Sequence, residues 1–210
     1  MKILAFSDLH ARPRSPDYVD FYAILKYIKK LKEKAKKSKP DLIICAGDMS
    51  LFEHDLEEIM QKISKIGKKI LVIPGNHETP SFVRKLCSFY DNIVYINKRA
   101  VKIGDYTFVG FTGEGFLRQD PEMAKFIKKI TPKIKGKKVV LVTHAPPYRT
   151  KLDKIGREYC GNKTISTFIK KNKNIVLEIC GHLHENAGKE DKMNNAKLVN
   201  PGPVGKIIKL

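Results

Sequence analysis

The sequence predicts an α/β fold in which two β-sheets pack together with helices on their faces. Two observations predict it. Through the first ninety residues, short β-branched apolar runs alternate with longer amphipathic stretches, the pattern of a largely parallel sheet with crossover helices. Beyond Phe89 the apolar runs follow one another without helices between them and then return to alternation, so one sheet does not account for all of them.

Taken in order, Ile3 to Phe6 reads as a strand and Tyr18 to Lys37 as a helix. Leu42 to Ala46 and Asp55 to Lys65 repeat the unit, and so do Ile70 to Ile73 and Ser81 to Phe89. Ile93 to Ile96, Ala100 to Ile103 and Thr107 to Phe111 are strands joined at Asn97-Lys98 and Gly104-Asp105, where the residue types suit tight turns. A helix from Pro121 to Ile130 precedes the strand Val139 to Thr143, and a helix from Thr164 to Lys171 precedes the strand Ile175 to Cys180. Two short strands are expected at the end of the chain.

The length, 210 residues, suits one domain over 1–210, with enough chain to bury a real core. Hydrophobic residues make up 42% and charged residues 30%, as in soluble globular proteins. The longest apolar runs, such as Val139 to Val142, are too short to span a bilayer, and no apolar leader follows Met1-Lys2. A cytoplasmic protein without a membrane partner is the expectation. Cys45, Cys87, Cys160 and Cys180 are scattered singly, which reads as buried free thiols. The net charge of +19 comes mostly from lysine-rich stretches such as Lys26 to Lys39. It makes nucleic acid a candidate partner, but lysines at helical spacing among apolar residues equally describe the solvated face of a surface helix.

Chemistry concentrates where strands end. Ser7-Asp8-Leu9-His10, Gly47-Asp48-Met49, Gly75-Asn76-His77-Glu78, Thr143-His144 and Gly181-His182-Leu183-His184-Glu185 each follow an apolar run directly. Any one is unremarkable alone, since isolated histidines and D-x-H tripeptides recur by chance. Five in succession, leaving only His54 elsewhere, point to one metal-binding rim at the strand C-termini. Spacing of two projects Asp8 and His10 to the same side of an extended backbone. The glycines before Asp48, Asn76 and His182 would let the backbone turn and approach the site closely. Carboxylates, imidazoles and an amide without thiolate suit Mn, Fe, Co, Ni or Zn.

The ordered set D-x-H, G-D, G-N-H-E, H and G-H-x-H resembles the signature of the calcineurin-like metallophosphoesterase superfamily, from Asp8 to His184. His144-Ala145-Pro146-Pro147, Gly161-Asn162 and Asn200-Pro201-Gly202-Pro203 resemble its compact Icc-like bacterial and archaeal branch of phosphohydrolases. The resemblance implies a four-layer αββα sandwich of two mixed sheets flanked by helices. It implies two divalent ions, manganese first among the candidates, with Asp8, His10, Asp48 and His184 on one and Asp48, Asn76, His144 and His182 on the other. Asp48 would bridge, and His77 would act on the substrate phosphate as the catalytic residue. The implied reaction is hydrolysis of a phosphomonoester or phosphodiester by a metal-bound bridging hydroxide. A metal-dependent nuclease, and a catalytically weak interaction module on the same fold, are the alternatives.

Arg149 is an even candidate for substrate contact, ahead of Arg12, Arg14 and Arg157. Glu78 and Glu185 are candidates for orienting ligand imidazoles, with helix capping or solvent exposure as the plainer readings. His54 reads as surface. The terminal Asn-Pro-Gly reads as a tight turn without a catalytic role.

Overall fold

The structure is a computed structural model and describes residues 1–10, 21–51, 53–113 and 115–210; the side chains of Phe21 and His54 are not described. Strands β1 (Lys2–Phe6), β2 (Leu42–Cys45), β3 (Ile70–Val72) and β4 (Ile93–Tyr95) run parallel in one sheet. Helices α1 (Phe21–Ser38), α2 (Glu53–Ser64) and α3 (Pro80–Cys87) form the crossovers. The second sheet holds β5 (Arg99–Ile103), β6 (Tyr106–Phe111), β7 (Lys138–Thr143), β10 (Ile175–Ile179), β11 (Glu190–Met193) and β12 (Ala196–Val199). Its crossover helices are α4 (Pro121–Ile134) and α5 (Lys163–Lys171). Between β7 and α5 lies a small hairpin, β8 (Lys154–Ile155) and β9 (Glu158–Tyr159). The last strand, β13 (Lys206–Lys209), returns to the first sheet and pairs antiparallel with β1.

Strand alternation assembles the layers. Ile3, Ala5, Leu42 and Ile44 point between the sheets, where they meet Phe108, Val140, Val142, Leu177 and Ile179. Their neighbours Leu4, Phe6, Ile43 and Cys45 point the other way, onto Ile24, Ile28 and Leu31 of α1 and Leu56 and Ile59 of α2. On the far side, Val139 and Leu141 pack with Ile130 and Ile134 of α4 and Phe168 and Ile169 of α5. The result is the expected αββα sandwich of two mixed sheets. Strands apolar on both faces are those that must be covered twice, which is why β2 is buried along its whole length.

Several expectations needed adjustment. Asn97-Lys98 is not a hairpin within one sheet: it carries the chain from β4, on the edge of the first sheet, to β5, on the edge of the second. Gly104-Asp105 does close a hairpin, with Gly104 at φ 56°. Helix α4 runs past Pro132 to Ile134, because the buried Ile130 and Ile134 anchor its last turn more strongly than the missing amide weakens it. Three strands rather than two follow β10. Cys45, Cys87 and Cys180 are buried free thiols, whereas Cys160 is only half-buried. Lys26, Lys29, Lys30, Lys36 and Lys37 lie on the exposed face of α1, opposite its apolar stripe. Among the described residues, no helix is long and apolar enough to cross a membrane.

Candidate metal centre

The five clusters converge because the strands before them, β1, β2, β3, β7 and β10, all end on the same side of the two parallel arrays. Backbone bonds lock the loops to one another. Asp8 donates its N–H to Gly47 (3.0 Å), His144 to Thr112 (2.9 Å), and Gly181 to His144 (2.9 Å).

Asp8 and Asp48 are both buried and both sit at φ 54°, a left-handed conformation that turns each carboxylate into the space between the strands. Asp8 Oδ1 accepts the His182 N–H at 2.9 Å, and Asp48 Oδ1 accepts the His77 N–H at 3.1 Å. Around Asp48 Oδ2 stand His10 Nε2 at 3.1 Å and His144 Nε2 at 3.3 Å. His184 Nε2 lies 3.8 Å from Asp8 Oδ1, and the His184 ring meets the His10 ring edge-on at 4.9 Å. Asn76 Oδ1 lies between His182 Nδ1 (2.9 Å) and His144 Nε2 (3.0 Å). Three groups, Asp8/His10/His184, His10/Asp48/His77 and Asp8/Asp48/His144, each bring their ligand atoms within 4.8 Å of one another.

Two features fit cations. His10 Nε2 and His182 Nε2 are buried without a hydrogen-bond partner among the described residues. His10 Nε2 lies 3.1 Å from Asp48 Oδ2 outside hydrogen-bond geometry, which leaves this nitrogen available to a cation. The His144 ring is oriented from behind: its Nδ1 lies 2.8 Å from the Ala46 carbonyl. Donation there fixes the tautomer that leaves Nε2 free for a ligand role.

Electrostatics tell the same story. Burial raises the Asp48 carboxyl, but His144 and His10 outweigh it and hold the group well below the usual carboxylate range. Burial opposes the charge on His144, yet Asp48 outweighs that and lifts it to about 9. Burial, followed by the charge of His144, pushes His182 down to about 4, the neutral form that binds metals. His77 is lowered, mainly by partial desolvation although the residue as a whole is exposed, and its ring stands 4.7 Å from that of His10.

The glycines serve the carboxylates. Gly47 turns at φ 91°. A Cβ on Gly75 would lie 1.9 Å from Asp48 Oδ1, and one on Gly181 would lie 2.6 Å from Asp8 Oδ2.

Glu78 does not orient an imidazole. Buried beneath the site, it accepts N–H bonds from Gly75 (2.8 Å) and Asp48 (3.1 Å) on one oxygen, and from Met49 and Ser50 on the other. It therefore staples the β2 loop to the β3 loop. Burial and the neighbouring Asp48 charge push it up to about 7 against those donors. Glu185 is exposed. Arg149 is exposed at φ 60°, with its guanidinium over the Tyr148 ring at 5.7 Å, where Arg118 and Lys163 also gather. Arg157 is exposed beside the β8–β9 turn, and Arg12, Arg14 and the His54 side chain lie outside the described residues.

Sequence reasoning missed two residues, Asp153 and Phe116, and read a third, Asn200, only as part of a tight turn. Asn200 braces the histidine loop, donating to the Leu183 carbonyl at 3.1 Å while accepting from Gly202 N–H. Asp153 accepts the N–H groups of Arg149, Thr150 and Gly161 and so shapes the loop after His144. Phe116, exposed, sets its ring edge-on to His182 at 4.5 Å. Only Asn200 had a signal, an amide in a proline-glycine turn next to a histidine loop.

Comparison with known proteins agrees with this fold. The family model described as calcineurin-like phosphoesterase matches residues 1–186. An uncharacterized protein of Methanocaldococcus jannaschii is 29% identical over 216 residues, covering 97% of this chain and 88% of that protein. A crystal structure of a Thermus thermophilus protein superposes with TM-score 0.72 at 16% identity, covering 96% of this chain and 88% of that one. A dimetal phosphatase from Danio rerio superposes at 0.67 with 9% identity, covering 94% and 86%. The chain belongs to the calcineurin-like phosphoesterase family.

Proposed function

We propose that the protein hydrolyses phosphate monoesters or diesters at a pair of divalent ions bridged by Asp48. In this reading Asp8, His10, Asp48 and His184 hold one ion, and Asp48, Asn76, His144 and His182 hold the other. The observation that carries it is a pair of buried nitrogens, His10 Nε2 and His182 Nε2, without a hydrogen-bond partner among the described residues, the first of them 3.1 Å from Asp48 Oδ2. Two such ions would supply Lewis acidity toward the phosphoryl oxygens and would lower the pKa of a water. The donor set admits manganese, which we favour, and also iron, nickel, cobalt or zinc.

The chain's own residues do the rest. The Ala46 carbonyl and Asp48 keep His144 in one orientation, and Glu78 holds the Asp48 and Asn76 loops at fixed separation. His77 is anchored by its backbone to Asp48 while the residue stays exposed, free to meet the phosphate. There it stabilises charge on the phosphoryl oxygens or gives a proton to the leaving oxygen as the P–O bond to the alcohol breaks and a P–O bond from water forms. Retention of His77 favours turnover over the interaction-module reading.

The test is His77→Ala, assayed on p-nitrophenyl phosphate and bis-p-nitrophenyl phosphate with metal content measured in parallel. We expect a loss of turnover on the order of 10²-fold or more with metal content nearly unchanged. Equal turnover in variant and parent would remove His77 from the reaction.

A further inference from the structure

Beside Asn76 opens a cleft of about 1160 Å³. It is larger than a phosphate needs and exceeds the usual range of small-molecule sites, about 300–1,000 Å³. Pro80, Ser81, Arg84, Lys85 and Ser88 line one wall. That spacing is one face of a helix, so the cleft runs the length of α3, about 12 Å from Pro80 to Ser88. Arg99 on β5 lines it as well.

Among the described residues, the carboxylates that line this cleft are Glu78, Asp120 and Glu122. Glu122, at its edge, is already engaged by Lys98 at 3.3 Å and Lys125 at 2.9 Å. Among the described residues no carboxylate pairs with Arg84, Lys85 or Arg99. Arg84, Lys85 and Arg99 are exposed along this cleft, which adjoins the metal centre at Asn76. Guanidinium forks match phosphate oxygens bidentately. Arg84 lies one helical turn, about 6 Å, beyond the start of α3. Asp120, also lining the cleft, caps α4 with Oδ1 at 2.8 Å from Met123 N, while its buried Oδ2 has no hydrogen-bond partner among the described residues.

We infer that the cleft along α3 binds a second phosphate of the substrate through Arg84, Lys85 and Arg99, so that the substrate carries a phosphate besides the scissile one. This rests on the phosphoesterase reading and narrows its substrate class.

The experiment compares adenosine 3′,5′-bisphosphate with adenosine 5′-monophosphate and p-nitrophenyl phosphate, in the parent protein, in Arg84→Ala/Arg99→Ala, and in Lys26→Ala/Lys30→Ala as a charge control on α1. The parent should show a KM for the bisphosphate about tenfold or more below that for the monophosphate. The arginine variant should lose that advantage with kcat little changed and p-nitrophenyl phosphate turnover within about twofold of the parent. The lysine control should keep it. Equal KM values for the two nucleotides in the parent, or an advantage that survives the arginine variant, would overturn the inference. So would a single-stranded oligonucleotide depending on the two arginines more strongly than the bisphosphate does. Absence of turnover on all three esters would instead overturn the phosphoesterase reading. Calorimetric titration with the bisphosphate then decides the cleft separately: binding lost in the arginine variant supports it, and binding that is absent or unaffected overturns it.

Discussion

Replacing Gly75 with alanine adds one methyl group at the point where two loops of the metal centre cross. The new Cβ would lie 1.9 Å from Asp48 Oδ1, 2.5 Å from its Cγ and 2.6 Å from its backbone nitrogen. An ordinary contact is about 3.5 Å or more, so the Asp48 carboxylate must retreat by roughly 1.5 Å and the backbone must shift with it. Gly75 has no positive φ, and the effect is therefore one of space rather than of backbone conformation. Moving Asp48 breaks its bond from the His77 N–H and displaces Oδ2 from His10 and His144. Forced insertion of this kind costs about 1–3 kcal/mol of stability. A displacement of 1 Å in a catalytic group is worth about 10²-fold in rate. Gly67→Ala is the matched control: it sits at φ 76° with nothing within 4 Å of its Cβ position. It should lose about 1 kcal/mol through strain while keeping full metal content. Denaturant titration, elemental analysis and turnover on p-nitrophenyl phosphate would be measured on both. Gly75→Ala with the parent's metal content and rate would refute the claim that this glycine exists to seat Asp48.

Glu178, fully buried on β10, is pushed up to about 8 by burial, with the Thr143 hydroxyl at 2.9 Å opposing. Between pH 4.5 and 8 the unfolded chain gives up this proton while the native protein keeps it. Stability should therefore fall as pH rises through that window, by at most about 1.4 kcal/mol per unit from this group, and level off above it. Glu178→Gln should flatten the pH profile of denaturant unfolding and be the more stable protein at pH 8; an unchanged slope would show that Glu178 ionises normally. Glu78→Ala leaves the amides of Gly75, Asp48, Met49 and Ser50 without their acceptor and should cost at least about 3 kcal/mol, together with metal affinity. Parent-like unfolding in denaturant would deny Glu78 its role as the staple between the two loops.

Much of this was legible because the chain places its chemistry at punctuation marks. Asp8, Asp48, Asn76, His144 and His182 each stand within a few residues of an apolar run's end, and strands that run parallel must bring such ends to one side. Alternation along Ile3 to Phe6 likewise foretold two covered faces. Other features depend on which loops meet, which periodicity does not encode. Glu78 follows His77 as a second-rank candidate would, yet its partners are amides 28 to 30 residues earlier as well as Gly75. Asn200 and Asp153 act through backbone groups whose position is set by tertiary packing. The β8–β9 hairpin is only two residues per strand, too short for an alternating pattern. Helix α4 outran its proline because burial of Ile134, invisible locally, overrode the break.

The most direct test of the dinuclear phosphoesterase account is elemental analysis of gently purified protein and of Asp48→Asn, paired with p-nitrophenyl phosphate hydrolysis before and after chelation and manganese return. The account predicts close to two divalent ions per parent chain, turnover abolished by the chelator and restored by manganese, and loss of both metals and turnover in Asp48→Asn. Turnover that persists without metal, or a parent protein that holds none and gains no activity from added ions, would contradict it.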